Sequence, residues 1–362
     1  MRPPEDELIK FDAASLRRHI PDPHDGLIDF ASNDYLGLSK HPAIKAVYLS
    51  TVEKLGVGAT ASRLICGTSR SHQELEDKLA AAKGTKAAIT FATGYATSIG
   101  VIPAVLEKGD TIIMDKLCHA SLIDGARMSN ATIRVFPHSH LEKLEKLLES
   151  ATQKTNTRTL VVTESVFSMD GDTTPLAGIV SLCKKYGALL MVDEAHALGV
   201  LGETGMGLAE QLGLTDEIDL HMGTLGKAAG VAGGYIAANR QWIDLLINKA
   251  RSFIYSTAPP PAQMAAAGVA LDIIQSEEGR QLRDKLWSNI KQLKQDAQSA
   301  IIPWIIGDNR SAMQKALELR SSGFLIPAIR YPTVPRNSAR LRISVSAAHS
   351  ELEINQLKEL ID

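Results

Sequence analysis

The run Leu189-Leu190-Met191-Val192-Asp193-Glu194-Ala195-His196 is apolar for four residues and then ends in two acids and a histidine. A short apolar run bounded by polar residues reads as a strand buried on both faces. With Ala188 at its start, it is the last of five such runs. The others are Lys86–Phe91, Thr111–Met114, Ile133–Phe136 and Thr159–Thr163. Amphipathic helical patterns lie between several of them, at His72–Ala82 and Leu141–Leu148. Strands alternating with helices at this spacing predict an α/β fold around a large, mostly parallel sheet. Such sheets carry their chemistry at the carboxyl ends of the strands, where Asp193 and His196 fall.

Outward from this centre the pattern changes twice. Toward the N-terminus, Ala13 to His19 is expected to form a short helix stopped by Pro21. Asp29 to Ala31 follows as a short strand, and Ser32–Leu38 (SNDYLGL) as a turn. Beyond Pro259, Leu282, Leu286, Ile290 and Leu293 mark one face of a long helix. A strand Ile301–Ile306, a helix ending at Gly323, a strand Ala339–Val345 and a final helix from about Ser350 complete a smaller α+β unit. In Ala339–Val345, Leu341, Ile343 and Val345 share one face and Arg340 and Arg342 the other. The plainer reading of these arginines is a solvated, exposed strand face. The resulting division is an N-terminal arm (1–35), a large domain (36–258) and a small C-terminal domain (259–362).

Composition excludes several classes. The 362 residues are 44% hydrophobic and 22% charged, with a formal net charge of −2. Nothing global draws such a chain to nucleic acid or to an anionic membrane. The N-terminus MRPPEDELIK has no apolar stretch and does not read as a signal peptide. The most apolar segment, Ala87 to Leu106, is broken by Gly94, Gly100 and Pro103, and reads as a strand and turn entering a helix rather than a membrane span. Cys66, Cys118 and Cys183 form no disulfide framework, which fits a reducing, cytoplasmic setting.

Four short motifs carry chemistry. In Thr224-Leu225-Gly226-Lys227-Ala228 a lysine stands among small residues, able to condense with an aldehyde if burial lowers its pKa. Asp193 can pair with a protonated pyridine nitrogen and so make the ring an electron sink, and His196 can hydrogen-bond the ring's 3-oxygen. An N-cap aspartate and a structural histidine are the plainer alternative. In Phe91-Ala92-Thr93-Gly94-Tyr95-Ala96 a glycine at a strand-to-helix turn lets backbone N–H groups approach a phosphate. His119, in Asp115–Ser121, can stack on an aromatic ring. The spacing of His119, His138, His140 and His196 matches no zinc pattern, so no metal is expected.

Taken in order, SNDYLGL, FATGYA, CHASLIDGA, TESVFSMDGD, MVDEAHALGVLG, TLGKA, IYSTAPPPAQ and AIRYPTVPRNSARLRISVSAAH resemble the α-oxoamine synthases, which are fold-type I pyridoxal-phosphate (PLP) acyltransferases. The resemblance runs from about Ser32 to His349. It implies pyridoxal 5'-phosphate as cofactor, bound to Lys227 as a Schiff base. It implies Asp193 at the pyridine nitrogen, His196 and Ser168 on the ring-oxygen side, His119 stacked on the ring, and Gly94, Tyr95 and Thr224 at the phosphate. Arg342 resembles the arginine that grips the amino-acid carboxylate, Arg17 and Thr333 resemble acyl-substrate contacts, and Asn33 faces the site. Ser256 and Thr257 resemble residues that reach the neighbouring subunit's phosphate in a homodimer.

The implied reaction is a decarboxylative condensation of L-alanine with a pimeloyl thioester, carried by coenzyme A or an acyl carrier protein. The alternatives within the family are glycine with an acetyl or a succinyl donor. A silent regulatory subunit of this family would lack the lysine, which is present here as Lys227. One departure is noted: Gln295–Pro303 is shorter than the family pattern by about one strand and a turn.

Overall fold

The computed structural model describes residues 4–13, 16–20, 23, 26–151 and 156–361. Its strands in chain order are β1 (Ile28–Asp29), β2 (Ala87–Phe91), β3 (Thr111–Asp115), β4 (Thr132–Phe136), β5 (Thr159–Glu164), β6 (Leu189–Asp193), β7 (Leu220–Thr224), β8 (Gly234–Ala238), β9 (Ile301–Gly307), β10 (Phe324–Leu325), β11 (Ala328–Ile329) and β12 (Ala339–Ser344). Seven of them form one sheet in the order β2-β8-β7-β6-β5-β3-β4. Only β8 runs against its neighbours. All five strands expected from the apolar runs are present. The runs missed are β7 and β8. Their sequences, LHMGT and GYIAA, mix glycine, alanine and polar residues that carry little strand signal of their own.

The central strands are buried on both faces, which is why they read as continuous apolar runs rather than alternating ones. Leu160, Val162, Met114 and Met191 pack into a core on one side of the sheet, and Val161, Ile113, Leu190 and Val192 into a core on the other. Helices Gly94–Val105, Ala120–Met128, Leu141–Ala151 and Leu176–Tyr186 each follow a sheet strand. The carboxyl ends of β2, β3, β5, β6 and β7 therefore meet the starts of the loops and helices along one edge. Among the described residues, no helix is long and apolar enough to cross a membrane.

In the C-terminal part, β12 lies between β11 and β9 in a three-stranded antiparallel sheet. Its Leu341 and Ile343, with Val345, face the core as expected. The opposite face is not solvated, however: Arg340 is 4% and Arg342 5% exposed. The helix Pro261–Gln275 packs on helices Pro42–Leu55 and Arg70–Ala82, and the long helix Glu277–Leu293 buries Leu286 and Ile290.

The N-terminal region departs from expectation. The helix lies at Pro4–Ala13, not at Ala13 to His19, and Leu16 to Ile20 are non-helical. A proline fits the first helical turn, where no N–H is needed, and Glu5, Asp6 and Glu7 complement the helix dipole there. Ala14, Ser15 and Pro21 lie outside the described residues. Further on, β1 pairs in parallel with β10. Ser344 N–H donates to the Phe30 carbonyl and Ala347 N–H to that of Tyr35, both at 2.8 Å. These bonds stitch the SNDYLGL turn to the end of β12, bringing Asn33 and Tyr35 beside Arg342.

Candidate active site

A cavity of about 150 Å³ opens at the carboxyl ends of β5, β6 and β7. Lys227, Asp193, His196, His119, Thr224, Gly94 and Tyr95 all line it, as do Ser121, Glu164, Ala195 and Met222. Residues 133 positions apart in sequence, from Gly94 to Lys227, thus converge because their strands are neighbours in one sheet.

Each side chain has a local reason for its place. Asp193 is the last residue of β6 and its Oδ1 accepts the Ala195 N–H at 2.9 Å. Burial pushes its carboxyl above the usual range, and Lys227 opposes the shift. Burial likewise pushes the Lys227 amine below its ordinary value, against the pull of Asp193 and Glu164. A lysine held so has a larger neutral fraction than an exposed one, which nucleophilic and base chemistry both require. His119 caps the helix Ala120–Met128, its Nδ1 accepting the Ser121 N–H at 3.2 Å. His196 is buried, and burial followed by the charges of Lys227, Arg342 and His119 holds it well below the usual imidazole range.

Gly94 opens the helix Gly94–Val105, capped by the Thr93 hydroxyl at the Ala96 N–H, 3.0 Å away. First-turn N–H groups have no partner within a helix, so those of Gly94 and Tyr95 are available to an anion. Gly234 on β8 makes room for this turn. A Cβ there would stand 2.6 Å from the Thr93 carbonyl and 2.7 Å from the Gly94 nitrogen.

Arg342 lies outside the lining, held by the Ser168 carbonyl at Nε (2.5 Å), the Ser344 hydroxyl at Nη1 (2.8 Å) and Asn33 Oδ1 at Nη2 (3.2 Å). Ser168 therefore meets Arg342 through its backbone and does not line the cavity. Arg340 is instead paired with Asp170 at 2.7 Å. Arg17 and Thr333 also lie outside the cavity. Arg17 pairs with Asp12 at 2.7 Å, its carbonyl accepts from Arg330, and Arg18 donates to Thr333 at 3.4 Å. These contacts lay the N-terminal segment against the PTVP turn. Thr257 is exposed and bridges to Ser62, and Ser256 is half-buried beside it. Among the described residues no cluster of His, Cys, Asp or Glu could hold a metal.

A family model described as aminotransferase class I and II matches residues 25–361. The 8-amino-7-oxononanoate synthase of Geobacter sulfurreducens is 46% identical over 335 residues, 90% of this chain and 85% of that one. The chain belongs to the α-oxoamine synthase family. Among solved structures, a serine palmitoyltransferase from S. paucimobilis with bound PLP–myriocin superposes with a TM-score of 0.92 at 29% identity, covering 99% of this α-oxoamine synthase and 95% of that chain. The 8-amino-7-oxononanoate synthase of Francisella tularensis gives a TM-score of 0.79 at 28% identity, covering 93% and 97%.

The donor set of this α-oxoamine synthase fits pyridoxal phosphate. One end of the cavity offers helix N–H groups for an anion, the middle a buried lysine, and the wall two acids and two imidazoles. Among the acidic residues of the lining, sequence reasoning missed Glu164. It ends β5 directly beside Asp193 in register, and its carboxylate accepts the His119 N–H. Its position at a strand's carboxyl end was the available signal.

Proposed function

We propose that this chain condenses L-alanine with a pimeloyl thioester, of coenzyme A or of a carrier protein, to give 8-amino-7-oxononanoate, CO2 and the free thiol in biotin biosynthesis. The support is a cavity that gathers Lys227, Asp193, His119 and His196 beside the Gly94 and Tyr95 N–H groups, in a chain 46% identical to an 8-amino-7-oxononanoate synthase. The cofactor is pyridoxal 5'-phosphate, which when bound supplies an electron sink for the charge left at the amino acid's α-carbon.

The chain's own residues do the rest in this reading. Lys227 holds the cofactor, and its Nζ takes and returns the proton at the α-carbon. The Asp193 carboxylate stabilises a proton on the ring nitrogen. Gly94, Tyr95 and Thr224 hold the phosphate, His119 covers one ring face, and His196 meets the 3-oxygen with Ser168 nearby. Arg342, with Asn33 beside it, orients the alanine carboxylate by charge-assisted hydrogen bonds. Arg17 and Thr333 meet the acyl chain where the N-terminal segment crosses the PTVP turn.

The same proposal includes a cytoplasmic homodimer with the site at its interface, with Ser256 and Thr257 reaching the partner's phosphate. Tyr48, Leu49, Leu55, Val57, Leu64, Ile65 and Tyr255 are exposed, as is Tyr95, which lines the cavity. Exposed large side chains of this kind favour an interface with a second copy. The three unpaired cysteines accord with a reducing compartment. The proposal keeps an N-terminal arm (1–35), a cofactor domain (36–258) and a small domain (259–362).

The test is an acyl-donor panel with alanine and glycine. Pimeloyl thioester with alanine should give the highest kcat/KM. Faster turnover of acetyl-CoA with glycine would make the chain a glycine C-acetyltransferase instead.

A further inference from the structure

His119 Nδ1 is committed to its own helix. It lies 3.2 Å from the Ser121 nitrogen and 2.8 Å from the Ser121 hydroxyl. A backbone N–H only donates, so Nδ1 meets it as an acceptor and carries no proton. That N–H stands at the second position of the helix Ala120–Met128, where no carbonyl of the helix can take it. Ser121 is 2% exposed, so water does not take it either. A proton on Nδ1 would set donor against donor and leave the Ser121 N–H buried without an acceptor, a costly state. The hydroxyl is supplied from behind. Ser98, fully buried on the helix Gly94–Val105, donates to Ser121 Oγ at 3.0 Å. Its oxygen so engaged, Ser121 has its own hydroxyl proton to give to Nδ1.

We propose that Ser121 is a positioning residue for His119: its N–H, backed by its hydroxyl, holds the ring as the neutral Nε2–H tautomer, so that His119 meets the cavity as a hydrogen-bond donor with no lone pair left to accept a proton. The ring lines the cavity with its Nδ1 edge turned to the helix, which leaves Nε2 as the nitrogen a ligand can meet. Protonating Nδ1 would break the helix cap. The charged groups around the ring are Asp193 at the end of β6, Lys227 after β7, Asp124 on the same helix, and Glu164 at the end of β5, whose carboxylate accepts the His119 N–H. Partial burial in the cavity wall lowers the imidazole pKa, Asp193 and Asp124 oppose the fall, and Lys227 adds to it. A ligand group at Nε2 must then be an acceptor. With the cofactor reading above, on which this last step rests, His119 covers the cofactor uncharged, gives its N–H to an oxygen of the bound substrates and leaves the α-carbon proton to Lys227.

The proton positions can be read from 15N NMR of the holoenzyme labelled at histidine, with the His119 signals identified by their loss in His119→Asn. Asparagine is a good N-cap and keeps an acceptor for the Ser121 N–H, so the helix survives this control. The expected wild-type ring has a protonated Nε2 and an unprotonated Nδ1 at neutral pH, with or without the cofactor. Ser121→Ala removes the hydroxyl but keeps the N–H, and its ring should keep the wild-type tautomer. Ser121→Pro removes both donors in the first helical turn, where proline is tolerated. Its ring should become a mixture of the two tautomers, a change that a serine of merely structural role would not cause. A wild-type ring protonated on Nδ1, or on both nitrogens, overturns the proposal. So does a Ser121→Ala ring that switches to Nδ1–H, or a Ser121→Pro ring that stays wholly Nε2–H. Should the proline variant not fold, the wild type and Ser121→Ala decide. A chain with the expected tautomer that fails in the acyl-donor panel would remove the functional reading and leave this one standing.

Discussion

Glu164 and Asp193 stand side by side at the ends of β5 and β6, in register and both buried. Two carboxylates so placed do not both ionise readily. Burial, and then the charge of Asp193, push Glu164 well above the carboxylate range; burial raises Asp193 too, with Lys227 as the leading influence against the rise there. Glu164 is thus the readier of the two to hold a proton. Asp193→Asn should lower turnover by about 10²-fold or more, since several kcal/mol of charge stabilisation depend on it. Glu164→Gln, which mimics a protonated acid, should cost far less. Equal losses in steady-state assays of the two variants would show that the charge is not divided in this way.

Lys227→Ala should still bind pyridoxal phosphate, through Asp193 and the Gly94 turn, but borohydride should no longer fix it to the chain. Peptide mapping after reduction checks this, and an adduct on any other lysine would refute the assignment.

His138 ties the end of β3 to the loops after β4 and β5. Its Nδ1–H donates to Asp115 at 3.1 Å and its Nε2–H to Asp172 at 2.7 Å, with the edge of Phe167 against the ring. The hydrogen bonds to Asp115 and then Asp172 raise its pKa from 6.5 to about 10. A group whose pKa is raised on folding binds its proton more tightly in the native state. The stabilisation is complete below pH 6.5 and lost as the pH rises through about 10. The urea midpoint of the wild type should therefore fall toward that of His138→Gln over this window. A constant gap between the two would mean that the imidazolium contributes nothing.

Lys83 and Glu194 form an ion pair at 2.6 Å with side chains 2% and 1% exposed. Burial works against both charges, but Glu194 with Tyr235 outweighs it at Lys83, and Lys83 with His221 and the Ala209 N–H outweighs it at Glu194, so Lys83 is held up and Glu194 down. Removing one partner strands the other. Lys83→Met should cost about 3–5 kcal/mol of unfolding free energy, and the paired Lys83→Met, Glu194→Met variant should recover much of it. Denaturant titration of the three proteins decides this.

The fold was legible wherever burial was two-sided. The five apolar runs became β2 to β6, because a strand packed on both faces leaves an unbroken hydrophobic signature. β7 and β8 were invisible because His221, Gly223 and Gly234 sit in them for reasons of close packing rather than strand propensity. The cavity residues were legible as motifs, since Lys227, Asp193, His196, His119 and Gly94 each carry a recognisable chemistry. Glu164 was not, because its role depends on register with Asp193, a relation between strands that one-dimensional spacing does not show. The same is true of Tyr35, which reaches His196 across 161 residues.

Arg340 and Arg342 give the last contrast, since they share one face of β12 and differ in what they meet. Arg340 is neutralised by Asp170. Arg342 has no carboxylate partner among the described residues, and its protein acceptors include a carbonyl, a hydroxyl and an amide. A nearly buried guanidinium with only neutral acceptors leaves a ligand anion as its ion-pair partner. Its field already reaches Lys227 and His196. A hydrogen bond to a charged group contributes about 1.5–3 kcal/mol, and each 1.4 kcal/mol is tenfold in affinity. Arg342→Lys should therefore raise the alanine KM about 10- to 150-fold. Lysine keeps the charge but loses the planar fork, so the change is not conservative. Cofactor absorbance should change little, because lysine keeps the positive charge that acts on Lys227 and His196. Arg340→Lys can still pair with Asp170 and should leave the alanine KM nearly as it is. If the two variants raise KM equally, the carboxylate is not held by Arg342.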